Sequence, residues 1–151
     1  MPLESRLFVK TSLIYLALAF IAGGAMLFLE ALGRPVPFVM SIEHAHLGEV
    51  GWLVNVVMGI ALWMLPLNRE RFPDTQGRYP ARLVYACYAL LNGGLAMRLI
   101  AEPWFQLGGR PAGAAAALMI AAFAQPAAIV LFVYIAWQRV RAPSRPAPGV
   151  R

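Results

Sequence analysis

Four stretches of this chain, residues 11–32, 42–65, 83–100 and 112–137, run for about the 20 residues a helix needs to cross a hydrocarbon core, and carry almost no charge. Breaks containing proline and polar residues separate them, at 33–41, 67–80 and 101–111. Backbone in lipid must satisfy its own polar groups, which only helices and closed barrels do, and these runs lack the alternation of barrel strands. The expected fold is all-α, an integral membrane four-helix bundle filling residues 1–140 as one domain. Composition agrees: 60% of the residues are hydrophobic and 13% charged, and the mean hydropathy is +0.64, values foreign to an ordinary soluble domain. The first run is as long as a full span and lacks a small-residue cleavage pattern followed by a soluble domain, so it reads as retained rather than as a secretory signal.

The cations orient the bundle. Arg6 and Lys10 precede the first run, Arg69, Arg71, Arg78 and Arg82 lie between the second and third, and Arg139, Arg141, Arg145 and Arg151 follow the fourth; Arg34, Arg98 and Arg110 fall on the other side. The positive-inside bias then predicts both termini in the cytoplasm of a cell inner (plasma) membrane protein. The net charge of +6 is spread over segments flanking spans, so it argues for orientation and against a nucleic-acid partner. Residues 141–151, "RAPSRPAPGVR", are basic and proline-rich and read as a disordered tail able to rest on anionic lipid.

Several chemistries are excluded. With Cys87 the single cysteine, there is no intrachain disulfide and no CxxC or CxxCH motif, and Cys87 reads as a packing residue. No Walker loop, HExxH or Ser-His-Asp order occurs. The glycine pairs Gly23–Gly24 and Gly93–Gly94 lie inside spans, where small residues permit close helix approach or clearance for a cofactor.

What remains is the stretch "SIEHAHLGEVGWLVNVVMGIALWMLP", residues 41–66. It holds both histidines of the chain, His44 and His46, with Glu43 and Glu49 beside them. Ionisable groups within spans default to functional hypotheses, and neutral imidazole is a common metal ligand. Successive helical residues turn by about 100°, so His44 and His46 point to nearly opposite sides and cannot chelate one ion together. Below His44 lie Gly48, Gly51, Asn55 and Gly59, a smooth face that suits either a flat macrocycle or a close helix crossing. Below His46 lie Val50, Leu53, Val57 and Ala61, a bulkier face suited to a neighbouring helix or subunit.

The segment "HAHLGEVGW", residues 44–52, resembles the H-x-H-x-G-x-x-G-W stretch in the tenth helix of the catalytic subunit of haem-copper oxidases, especially the nitric oxide reductase branch. The resemblance covers about 25 residues of the chain. It implies an axial ligand of a high-spin haem at His44 and of a low-spin haem at His46, with Gly48, Gly51 and Trp52 in the surrounding motif. The chain has no further histidines for copper, non-haem iron or an opposite axial ligand, so a binuclear oxygen-reducing centre is excluded. The expectation is a small membrane protein holding haem b.

Haem propionates need cations, and Arg98 and Arg110 lie near the depth expected for His44. A guanidinium binds a carboxylate bidentately, but an i to i+4 pair of Arg98 with Glu102 is an equal reading. Trp104 reads as an interfacial anchor. Glu43 and Glu49 are candidates to orient an imidazole through its second nitrogen, Glu49 meeting His46; Glu49 is also a candidate proton relay. Asn55, Asn92 and Gln125 are expected to hydrogen-bond between helices, and Pro126 to bend the fourth helix.

The leading expectation is a haem site towards the outer face that binds a diatomic gas, nitric oxide or oxygen, with slow nitric oxide turnover as its conceivable enzyme activity. The alternatives are a six-coordinate haem electron carrier served by quinol or another donor, and a cofactor-free subunit or assembly factor. A homodimer is expected from the His46 face and the alanine-rich run 112–124, although that run could equally pack inside one chain.

Overall fold

The computed structural model describes residues 1–140; the segment 141–151, expected to be a disordered tail, lies outside the described residues. Four helices account for most of the chain: α1 Leu3–Ala31, α2 Phe38–Met64, α3 Ala81–Leu107 and α4 Ala112–Trp137, each long and apolar enough to cross a membrane. A 3-10 turn, Pro73–Thr75, lies in the loop between α2 and α3, and no strand occurs among the described residues. The chain therefore has the all-helical build of a multi-pass membrane protein.

Proline marks every start. Pro2, Pro37, Pro80 and Pro111 immediately precede the four helices, because the ring fixes φ and lacks an N–H, so proline opens a helix better than it continues one. Gly33 and Gly109, at φ +68° and +75°, turn the chain after α1 and α3 in a region closed to most side chains. Three helices outrun their apolar segments, α2 by starting at Phe38 instead of residue 42. Helix α1 begins at Leu3 and carries Arg6 and Lys10 in its first turns, and α3 continues through Pro103 to Leu107. Hydropathy measures contact with hydrocarbon, whereas the helix persists until backbone chemistry ends it. Helix α4 likewise runs on through Pro126.

The molecule is two antiparallel hairpins side by side, α1 with α2 and α3 with α4. On α4 the buried residues are Ala114, Ala121, Ala128 and Ile135, seven apart, a stripe two turns in period that lets α3 approach closely. Gly94 of α3 sits against Ala124 and Gln125, and the Cys87 thiol donates to the Ala128 carbonyl at 3.2 Å. One stripe of the alanine-rich run is thus used within the chain. Where the hairpins meet, Phe8, Met58, Leu62, Val84, Leu91 and Ile135 form the core. Phe8 packs edge-on to Tyr88, whose hydroxyl shares a 2.6 Å hydrogen bond with Thr11. Outside, the surface is apolar: Phe20 is 76% exposed and Phe123 79%, as helices solvated by lipid require.

The chain enters and leaves the bundle at one end, where Met1 and Pro2 share a cavity with Pro66, Tyr79 and Arg139. Arg139 is 1% exposed. Its Nε donates to the Pro66 carbonyl at 3.1 Å, Nη1 to Leu62 at 2.9 Å and Nη2 to Leu65, while the guanidinium lies 5.2 Å from the centre of the Tyr79 ring. A cation thereby satisfies the carbonyls that the end of α2 leaves open. Burial lowers the Arg139 pKa and raises that of Tyr79.

Candidate functional site

Helix α2 is not uniform. Between an α-helical start, Phe38–His46, and an α-helical end, Asn55–Met64, residues Leu47–Val54 form a π-helix. Such widened turns are rare and concentrate at functional sites, and this one follows directly on the two histidines. Asn55 holds its lower edge: the side-chain amide donates to the carbonyls of Val50 and Gly51 at 3.1 and 3.0 Å. Asn92 of α3 donates to Asn55 Oδ1 at 3.0 Å and to the Tyr88 carbonyl at 3.1 Å, an interhelical amide bond as expected. Gln125 does not act likewise, since its buried Nε2 has no partner.

His44 lies in the seam between α1 and α2. Its Nδ1 is 3.0 Å from the Ala19 carbonyl, and its ring rests on Gly23, where an added Cβ would stand 3.0 Å from Cε1. His46 turns back on its own helix, with Nδ1 2.8 Å from the Ile42 carbonyl. A carbonyl only accepts, so in each ring Nδ1 carries the proton and, in neutral imidazole, Nε2 keeps its lone pair. No described group takes up either Nε2. Backbone carbonyls thus perform the orienting task expected of carboxylates: Glu49 is exposed, and Glu43 turns to Glu102 and Arg98 of α3 instead of to an imidazole.

The glycine face is occupied. A Cβ on Gly51 would stand 2.6 Å from Tyr15 Cγ, and one on Gly59 would stand 2.9 Å from Phe8 Cβ and Val9 Cγ2. Of the two readings of this face, the close helix crossing applies at Gly51 and Gly59, and Asn55 turns instead to α3. The π turn contributes, because the extra residue it accommodates rotates the lower half of α2 relative to His44. Gly48, one turn below His44, and Gly24, next to the glycine under the imidazole, are open, with nothing within 4 Å of an added Cβ. Trp52 is 37% exposed.

Arg98 takes its i to i+4 reading, with Nε 2.8 Å from Glu102 Oε2, although off-axis for a hydrogen bond. Arg110 is exposed in the loop after α3, at φ 61°, 5.9 Å from the centre of the Phe105 ring. Trp104 is half exposed and packs over Gly108 and Gly113. Sequence reasoning marked Gly23 as a place of close approach but missed that it and the Ala19 carbonyl seat His44. The glycine pair was a usable signal once α1 and α2 are laid antiparallel; a backbone carbonyl has no sequence signal.

No three or more His, Cys, Asp or Glu side chains gather into a metal-holding group among the described residues. A bare ion would therefore lack ligands here, whereas a porphyrin iron brings four nitrogens of its own and asks the protein for one. The donor chemistry of His44 fits a haem, but the lower glycine groove does not, so a macrocycle would have to lie at the open Gly24 and Gly48 end. Compared with protein-family models, curated proteins and solved structures, the chain matches none.

Proposed function

We propose that this chain is a membrane haem b protein that binds nitric oxide or oxygen. The observation that carries the proposal is the pair of imidazoles whose Nδ1 protons are spent on carbonyls and whose Nε2 lone pairs are unclaimed. His44 is the proposed axial ligand, held rigid by Ala19 and Gly23, with bare backbone at Gly24 and Gly48 giving the macrocycle room. Bound haem would supply an iron that coordinates a diatomic gas, and lipid would deliver the gas, since small apolar molecules partition into hydrocarbon. Arg98, tied to Glu102, and Arg110, on the loop, would need to change partner to meet propionates. His46 points elsewhere and suits contact with a second copy in a homodimer, where a shared site would serve the six-coordinate, quinol-linked electron carrier. The arginine distribution supports termini in the cytoplasm of the plasma membrane and histidines towards the outer face.

Purified protein made with ample haem is expected to show a Soret band that His44→Ala abolishes and that carbon monoxide shifts. His46→Ala should retain the band, and Gly48→Leu should weaken it while leaving the unfolding temperature in detergent unchanged. A protein that stays colourless, or a band indifferent to His44, would defeat the proposal. The filled groove at Gly51 and Gly59 favours one second reading, a cofactor-free membrane subunit in which His44 serves only as a polar tie between α1 and α2.

A further inference from the structure

The cavity at the end of α2 holds two cations and no counter-ion. Its volume is about 420 Å³, and its walls combine Arg139, Arg78 and Tyr79 with Trp63, Leu65 and Leu67. No aspartate or glutamate is among its described lining residues; Glu4, in the first turn of α1, faces Tyr79 from outside that set. Arg78 is the cation facing Arg139, and the two repel. The carbonyls around Arg139 stabilise it as dipoles but carry no net charge, so a buried charge is left unneutralised. Its hydrogen bonding is incomplete as well. A guanidinium has five N–H hydrogens; three go to the carbonyls of Pro66, Leu62 and Leu65, and the other two meet no acceptor among the described residues. The Arg78 side chain is exposed and has no ion pair among the described residues.

We propose that this cavity binds the phosphate group of an anionic membrane lipid, with Arg139 and Arg78 sharing its charge and the acyl chains lying along Trp63 and Leu67. The chemistry selects this occupant. Two uncompensated guanidinium groups repel a cation and gain little from a neutral ligand, whereas phosphate oxygens accept guanidinium N–H groups in pairs. Pro2, on the same wall, adds the positive end of the α1 dipole. Place selects a lipid over a dissolved anion. The cavity lies where α1 begins and α2 and α4 end, the depth of headgroups for helices that span a bilayer, and Trp63 and Leu67 are exposed apolar side chains at its edge. His44 sits at the opposite end of α2, so this site is independent of the haem proposal.

Thermal unfolding of the full-length protein in detergent, with phosphatidylglycerol, phosphatidylcholine or inorganic phosphate added, tests it. Phosphatidylglycerol should give its half-maximal rise in unfolding temperature at a concentration at least about tenfold below that of phosphatidylcholine, and inorganic phosphate at the same concentrations should give none. Arg78→Gln removes a side chain without a hydrogen bond among the described residues, so without lipid it should unfold at the parent's temperature. Its response to phosphatidylglycerol should weaken about fivefold, the contribution of one cation near a lipid surface. Arg82→Gln, the same loss of charge at an exposed residue outside the cavity, should respond as the parent does. Equal responses to the two lipids, an undiminished response in Arg78→Gln, or an equal loss in Arg82→Gln would each overturn the site; a rise with inorganic phosphate matching that with phosphatidylglycerol would overturn the lipid as its occupant.

Discussion

Arg139→Ala should unfold in detergent at a clearly lower temperature than the parent, with a loss of about 3 kcal/mol. The side chain is buried and donates to three carbonyls around the end of α2. Hydrogen bonds from a charged donor each contribute about 1.5–3 kcal/mol, and an orphaned buried carbonyl costs about 1–3 kcal/mol. Water entering the adjoining cavity would offset part of that, which is why the expected loss is less than the sum. The lost stacking on Tyr79 adds to it. Arg139→Lys should fall between the two, since an ammonium lacks the planar fork that reaches several carbonyls at once. Thermal unfolding of the three proteins measures this, and an unchanged Arg139→Ala would refute the stapling role. The effect should also be local: α4 would detach from the α2 end, and protease sensitivity should rise first between Leu65 and Tyr79.

A second large effect is expected from the smallest possible substitution in α2. Gly51→Ala should cost about 2 kcal/mol, whereas Gly48→Ala, one turn away, should cost nothing measurable or stabilise slightly. A methyl at 51 would meet Tyr15 Cγ at 2.6 Å and Tyr15 Cβ at 2.8 Å. Cβ is fixed to the α1 backbone, so rotating the ring cannot relieve the clash and α1 must move away. Overpacking of this kind costs about 1–3 kcal/mol. At Gly48 the methyl meets nothing, and alanine is the better helix former. In a Tyr15→Ala background Gly51→Ala should still cost stability, because the Tyr15 Cβ position stays filled, whereas in a Tyr15→Gly background the same change should cost little. Equal stability of the two alanine variants would show that α1 does not pack on this face.

Much of the architecture was legible in the sequence because lipid imposes simple arithmetic. A span needs an apolar run of fixed length, proline cannot continue a helix as readily as it starts one, and loops gather the cations; hence four helices and their order follow from counting. The helix ends at Leu3 and Leu107 were not legible, since apolarity reports the solvent around a helix and not its backbone. Asn55 and Asn92 were recognisable as interhelical bonders, because an amide in lipid must find a partner. Gln125 was indistinguishable from them in sequence, and its Nε2 found none.

The histidine site was legible in residue type but not in setting. His44 and His46 stood out as the two imidazoles at the mouth of a span, and the opposite directions drawn from helical geometry agree with their separate carbonyl partners. The glycines below them, with a histidine at the mouth of the groove, favoured a macrocycle, although a bare face accepts a neighbouring helix as well. Only the placement of Tyr15 and Phe8, more than thirty residues away in the chain, decided that Gly51 and Gly59 receive α1. Glu43 was considered as a partner for an imidazole, yet it faces α3, because the next residue along a helix points a quarter-turn or more away.

By itself the sequence determined an all-helical chain with four helices long and apolar enough to cross a membrane, and singled out the two imidazoles near the start of the second. These depend on composition, periodicity and count, which are local and additive. Only the tertiary structure decided which helix fills the glycine face, that Arg139 closes the end of α2 instead of merely marking a side of the membrane, and that Glu43 meets Glu102 and Arg98 of α3. Those outcomes depend on pairings between residues far apart in the chain, where a change of register or a single widened turn redirects every side chain beyond it.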